Sequence, residues 1–207
     1  YIHVEKPDQE AVPSRQFDIS KIDFDLLSRE FAHTRRKNLL LRDLDELVNQ
    51  QLSKMLFANP QRIDYYDRYQ EIIDAYNAEQ NRATIEKTFM DLMELASSLD
   101  TEQQRYVREG FSSDEELSVY DLLFSENLTK QEIETIKKVS VDLLTKIKQQ
   151  IAKLDHWTDK QETKAIVDNL IRKTLWQELP NSYDVSDIQT YQKKIYEYVY
   201  MRYPEVA

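Results

Sequence analysis

The chain has 207 residues, no cysteine, one glycine, five prolines and a formal net charge of −10. That length buries roughly 70% of the surface an unfolded chain exposes, enough for one domain or two small ones. Hydrophobic residues at 41% and charged residues at 32% describe a globular protein. Disulfide and thiolate chemistry are excluded, a whole-surface nucleic-acid footprint is disfavoured, and a phosphate-cradling loop lacks the several glycines it needs. No apolar run of about 18 residues spans a membrane, no signal peptide is recognisable, and the cysteine-free composition fits a cytoplasmic location. The first residue is Tyr1 rather than Met, which points to a fragment.

Breakers are so rare that helices can run uninterrupted from Pro13 to Pro60, on to Gly110, and from there to Pro180. The expected fold is all-α, a bundle of about seven to eight helices that can divide into two lobes. An irregular leader covers residues 1–20, an N-terminal lobe 21–110 and a C-terminal lobe 111–207. Within the leader, Ile2–Val4 reads as an extended end. Asp23 caps a short helix with Phe24, Leu27 and Phe31 inward. Asn38 to Phe57 follows, with Leu40, Leu44, Leu47, Val48, Leu52, Met55 and Leu56 as its apolar face and Asn59-Pro60 as its end. Ile63 to about Gln80 is rich in tyrosine. Thr84 to Leu99 comes next, and Asp100 is expected to cap a separate shorter helix that stops at Gly110. Ser113 caps another, opened by Asp114, Glu115 and Glu116 and continued by Leu117, Tyr120, Leu123 and Phe124.

The densest periodic stretch runs from Leu128 to Leu179. Thr129 and Glu132 form a capping box, and Ile133, Ile136, Leu143, Ile147, Ile151 and Leu154 recur at steps of three and four, with Ser140 in one slot. A turn around Asp155-His156-Trp157 leads to a second helix carrying Ile166, Val167, Leu170, Ile171, Leu175 and Leu179 and ended by Pro180. The last helix, about Ser186 to Tyr203, packs Ile188, Tyr191, Ile195 and Val199.

Site chemistry is sparse. Glu30 and His33 have the spacing of a metal-ligand pair, but no second pair accompanies them, and an exposed helix end explains them better. His156 beside Asp155 lacks a nucleophile signature and reads as a polar turn. Glu162 and Lys164 with Pro7-Asp8 loosely mimic a metal-dependent nuclease. One half lies in the leader, so no rigid scaffold brings them together, and the reading is rejected. No metal site or cofactor is expected.

From Lys137 to Lys173 the chain carries nine Lys and Arg against five acids. This is either a solvated face or a weak DNA contact through Lys146, Lys153, Lys160, Lys164, Arg172 and Lys173. Trp157, Tyr183, Tyr191, Tyr196, Tyr198, Tyr200 and Tyr203 are the candidate partner-binding rings, with core packing as the alternative. Tyr196 and Tyr200, four apart, could form an exposed edge.

The runs Trp157 to Ala165, Leu179 to Tyr183 and Ile195 to Tyr200 resemble the carboxyl-terminal end of the R subunits of type I restriction enzymes. Ile22 to Phe24 and Arg82 to Phe89 resemble the helical region after the motor domains of the same subunits. The likeness covers the chain from about Ile22 onward. It implies the helical part of an ATP-dependent DNA translocase and endonuclease, associated with holding the motor on the methyltransferase and specificity subunits. No Walker or nuclease motif of that family has a matching position here, so no catalytic residue carries over. Three functions follow as expectations: a subunit-docking module, a helical domain touching DNA non-specifically during translocation, and, with least support, a stand-alone helical enzyme.

Overall fold

The computed structural model describes residues 22–79 and 81–204. The expected leader, with Ile2–Val4 and Pro7-Asp8, lies outside the described residues. Among the described residues there are nine α-helices and no strand: α1 Phe24–His33, α2 Lys37–Ala58, α3 Ile63–Ala78, α4 Arg82–Gln103, α5 Arg105–Arg108, α6 Asp114–Leu123, α7 Lys130–Ile151, α8 Gln161–Glu178 and α9 Val185–Arg202. A 3-10 turn, Pro60–Arg62, joins α2 to α3. The all-α expectation therefore holds. No described helix is long and apolar enough to cross a membrane. The helices form two compact units that divide between Arg105 and Tyr106.

In the first unit α2 and α4 run in the same direction. Lys37 pairs with Glu86 near their starts, and Gln51 donates to Gln103 near their ends. Helix α3 runs back between these levels, so Arg62 at its start meets Glu102 at the end of α4 at 3.0 Å. Leu41, Leu44, Val48 and Leu52 interleave with Tyr69 and Ile73 and with Phe89, Leu92, Leu95 and Leu99 to form the core. Leu41, outside the expected stripe, is 1% exposed, whereas Leu40, Leu47 and Leu56 are only partly covered. Helix α1 starts where expected, the Asp23 carboxylate accepting from the Leu26 N–H. It stacks Phe31 on Phe89.

Asp100 does not open a new helix; α4 continues through it to Gln103. An interior aspartate costs about 0.7 kcal/mol relative to alanine. Running on for one more turn brings Glu102 to Arg62, and both side chains are buried. Leaving either charge buried without the other would cost far more. Tertiary pairing overrides the capping signal. The short α5 ends at Arg108, and the chain turns at Gly110, whose φ of +84° is the left-handed conformation that a residue without Cβ adopts freely.

In the second unit α6, α7, α8 and α9 pack in succession, and α9 returns to α6, closing a four-helix ring. Ser113 caps α6 by accepting from the Glu116 N–H. Both halves of the capping box at Thr129 and Glu132 form on α7. A second box, Asp184 with Asp187, opens α9 one residue earlier than expected. Ile136, Leu143, Ile147 and Ile151 meet Val167, Ile171 and Leu175 and, from α9, Ile195 and Val199. Ile166, expected inward, is 42% exposed, because it sits one position off the Val167–Ile171–Leu175 stripe, a rotation of about 100°. Phe124 caps the end of α6 instead of extending it and is exposed.

Trp157 in the α7–α8 turn is 1% exposed. Its indole N–H donates to the Tyr203 carbonyl at 2.6 Å, and Tyr196 and Tyr200 meet its ring edge-on at 6.2 and 5.7 Å. The Tyr183 hydroxyl donates to the Leu123 carbonyl at 2.7 Å, and its ring abuts Tyr191. Tyr198 is buried and meets Tyr203 edge-on. Burial pushes the Tyr183 and Tyr203 hydroxyls well above the usual tyrosine range. The aromatic tail closes the second unit.

Two expectations follow. Truncation after Pro180 removes the whole cage of Trp157 and should abolish the cooperative melting of the second unit, read by circular dichroism. Trp157→Ala alone should cost about 3–5 kcal/mol, read by denaturant unfolding. In the first unit the Tyr69 hydroxyl donates to the buried Asp45 carboxylate at 2.8 Å. Burial, partly opposed by that hydrogen bond, holds the Asp45 carboxyl above its ordinary range. The native state thus keeps a proton that the unfolded chain has lost, and this contribution to stability falls as pH rises from the ordinary aspartate range through the raised value. Asp45→Asn should remove that slope in melts run upward from about pH 4. Asp45→Ala should cost about 1–3 kcal/mol by leaving the Tyr69 hydroxyl without its acceptor.

Candidate functional site

The residues singled out in the sequence are dispersed in the folded chain. Trp157, Tyr183 and Tyr198 are buried, and Tyr191, Tyr196 and Tyr203 are half-buried in the closing cage. Tyr200 alone of the seven keeps an exposed surface. The cations do not act as one face either. Lys146 is held by Asp142 at 2.5 Å and Glu178 at 2.6 Å, and hydrogen bonds to these two carboxylates raise its ammonium pKa. Lys164 lies over the Tyr200 ring, its nitrogen 5.6 Å from the centroid. Lys153 and Lys160 stand exposed at the α7–α8 turn. Arg172 and Lys173 face elsewhere, into a groove between α8 and α9.

That groove encloses about 600 Å³. Trp176 forms its most prominent wall, 58% exposed. Its outward position follows from helix geometry. Leu175 belongs to the core stripe, so the next residue points about 100° away from it. Val185 and Ile188 supply the apolar floor from α9. The capping box of Asp184 and Asp187 fixes Val185 as the first helical residue, where its side chain lies at the groove and is exposed.

The groove surface is mostly apolar, and its lining carries no acid. Asn169, Gln177, Gln189 and Gln192 contribute amides, and Arg172 and Lys173 contribute the only charges of the lining. Gln192 donates to Asp168 at 2.8 Å, tying α9 to α8 along the groove. The Arg172 guanidinium donates to Asn169 at 3.0 Å, which restricts its swing. Amides, an indole and two cations can bind and orient.

Among the described residues no group of three or more His, Cys, Asp or Glu could hold a metal ion. Glu30 and His33 sit on α1 with exposed side chains. His156 takes φ +44° in the α7–α8 turn, a left-handed conformation that histidine tolerates better than most residues, and its side chain is exposed.

Sequence reasoning passed over Trp176. The available signal was its misfit: one of only two tryptophans, it falls beside the apolar stripe and follows Arg172 and Lys173 by about one turn.

No curated protein and no solved structure is significantly similar to the chain. The family described as type I restriction enzyme HindI endonuclease subunit-like, C-terminal, matches residues 10–203, nearly the whole length, in keeping with the resemblance carried by Trp157 to Ala165 and Ile195 to Tyr200. By that match the chain belongs to the family of C-terminal regions of type I restriction enzyme HindI endonuclease subunit-like proteins.

Proposed function

We propose that this chain is a non-catalytic docking module that holds the ATP-driven motor of a restriction endonuclease subunit on the methyltransferase and specificity subunits. The observation that carries this reading is Trp176, an indole 58% exposed on the wall of a groove with an apolar floor. An exposed tryptophan flanked by arginine and ringed by amides has the composition of an interface centre with a polar rim. Both charged side chains of the lining are cations, so the matching surface presents an apolar anchor flanked by carboxylates. Family membership supports the reading, because the matched family is the C-terminal region of an endonuclease subunit.

DNA contact along α7 and α8 has weaker support. Lys146 is engaged by two carboxylates, and Lys164 lies against Tyr200, which leaves the remaining cations scattered.

Trp176→Ala should weaken co-assembly with the methyltransferase–specificity core at least about 30-fold, the effect of losing roughly 2 kcal/mol at a hot spot. Its melting temperature should stay within about two degrees of the parent, since the ring is largely solvated. Co-purification and calorimetric titration measure the first, and a thermal melt the second. Undiminished assembly by the variant would refute the groove as the docking face. The isolated chain should also show no ATP hydrolysis and no plasmid cleavage with Mg²⁺ present; activity that tracks the protein through purification would refute the non-catalytic assignment.

A further inference from the structure

The first unit carries two surfaces of opposite charge that form no ion pair with each other within one copy. From Ser28 to Arg42 the chain has Arg29, Arg35, Arg36, Lys37 and Arg42 against the single acid Glu30, within a protein of net charge −10. Lys37 is engaged by Glu86 at 2.9 Å, and Arg42 lies 3.9 Å from Asp43. Arg29 on α1 and Arg35 and Arg36 in the turn into α2 are exposed, and among the described residues none of the three has a carboxylate at ion-pair distance. Two leucines flank them. Leu26, one turn before Arg29, is 52% exposed, and Leu39, one turn after Arg36, is 41% exposed. The result is a cationic face with apolar edges.

Helix α3 carries the opposite pattern. From Ile63 to Glu79 there are five acids and one cation, Arg68, which reaches Glu94 at 3.0 Å. Asp64, Asp67, Glu71 and Asp74 recur at steps of three, four and three, so they fall within about 80° of the helix circumference. All four are exposed, and among the described residues none has a cation at ion-pair distance. The other side of the helix buries Tyr66, Tyr69, Ile73 and Tyr76, so the stripe faces solvent. Ile63, 44% exposed, stands one turn before Asp67.

We propose that the first unit associates with a second copy of this chain, the Arg29–Arg36 face of one copy receiving the α3 stripe of the other. Exposed ion pairs contribute little one at a time, so a lasting contact needs an apolar part, and Leu26, Leu39 and Ile63 supply it beside the charges. A phosphate backbone would answer the arginines and leave both leucines in water. An acidic helix with an apolar residue at its edge answers both. Helix α3 is such a helix, and its acids stay unpaired in their own copy. Both surfaces belong to the first unit, so the contact does not depend on the docking assigned to the α8–α9 groove.

The test is sedimentation velocity of the full chain at ionic strengths of about 0.05 M and about 0.5 M. At the lower strength the average mass should rise with concentration above that of one chain; at the higher it should return to that of one chain. Two charge-reversed variants, one with Arg29→Glu, Arg35→Glu and Arg36→Glu and the other with Asp67→Arg, Glu71→Arg and Asp74→Arg, should each stay monomeric with unchanged circular dichroism. Mixed in equal amounts they should associate again. Misfolding of either variant cannot produce that result, and both stay net negative, so overall charge attraction cannot either. Leu26→Ser with Leu39→Ser should weaken self-association at least about tenfold. Trp176→Ala should leave it unchanged. A parent that stays monomeric up to about 1 mM at low salt overturns the proposal, as does self-association that both reversed variants retain. Displacement of the second copy by an equimolar mixed-sequence duplex would assign the arginine face to nucleic acid and also overturns it.

Discussion

A buried indole must find an acceptor, and in the second unit that requirement joins segments far apart in the chain. Trp157 is 1% exposed and donates to the Tyr203 carbonyl, 46 residues further along the chain. The bond makes the end of α9 an obligatory part of the α7–α8 turn. Once Tyr203 is placed, Tyr200 and Tyr196 lie one and two turns back and meet the indole edge-on. The Thr163 hydroxyl donates to the Trp157 carbonyl and secures the start of α8 from the other side. Three helices are thereby held by one residue and its ring neighbours.

The same closure decides where function can reside. Trp157, Tyr183 and Tyr198 are buried in the second unit, and of the tail rings Tyr200 keeps an exposed surface. What remains at the surface is set by the far side of α8 and the start of α9. There Trp176 stands exposed next to a core residue, Leu175, that is fully buried. Adjacent positions on one helix thus have opposite fates, one packing the bundle and the other standing in solvent. The charge pattern follows a similar logic. Lys146 is absorbed by the carboxylates of Asp142 and Glu178, so its charge is spent within the bundle.

The sequence by itself determined the class and the helices. Apolar steps of three and four, almost no glycine, and capping residues at Asp23, Ser113 and Thr129 leave the backbone few alternatives, because these signals act within a turn or two. The left-handed end at Gly110 was legible for the same reason. Family membership was legible too, in the run from Trp157 to Ala165 and the tyrosine pattern of Ile195 to Tyr200.

Tertiary structure decided what depends on partners distant in the chain. Asp100 looks like a cap, yet α4 passes through it because Glu102 has Arg62 to meet. Trp157 and Trp176 carry the same side chain on neighbouring elements, and composition cannot say which is buried. Burial is settled by which helix packs against which face, and that follows from the four-helix closure around α6, α7, α8 and α9. The candidate site was hidden for this reason: a groove is a relation between α8 and α9, and no single segment contains it.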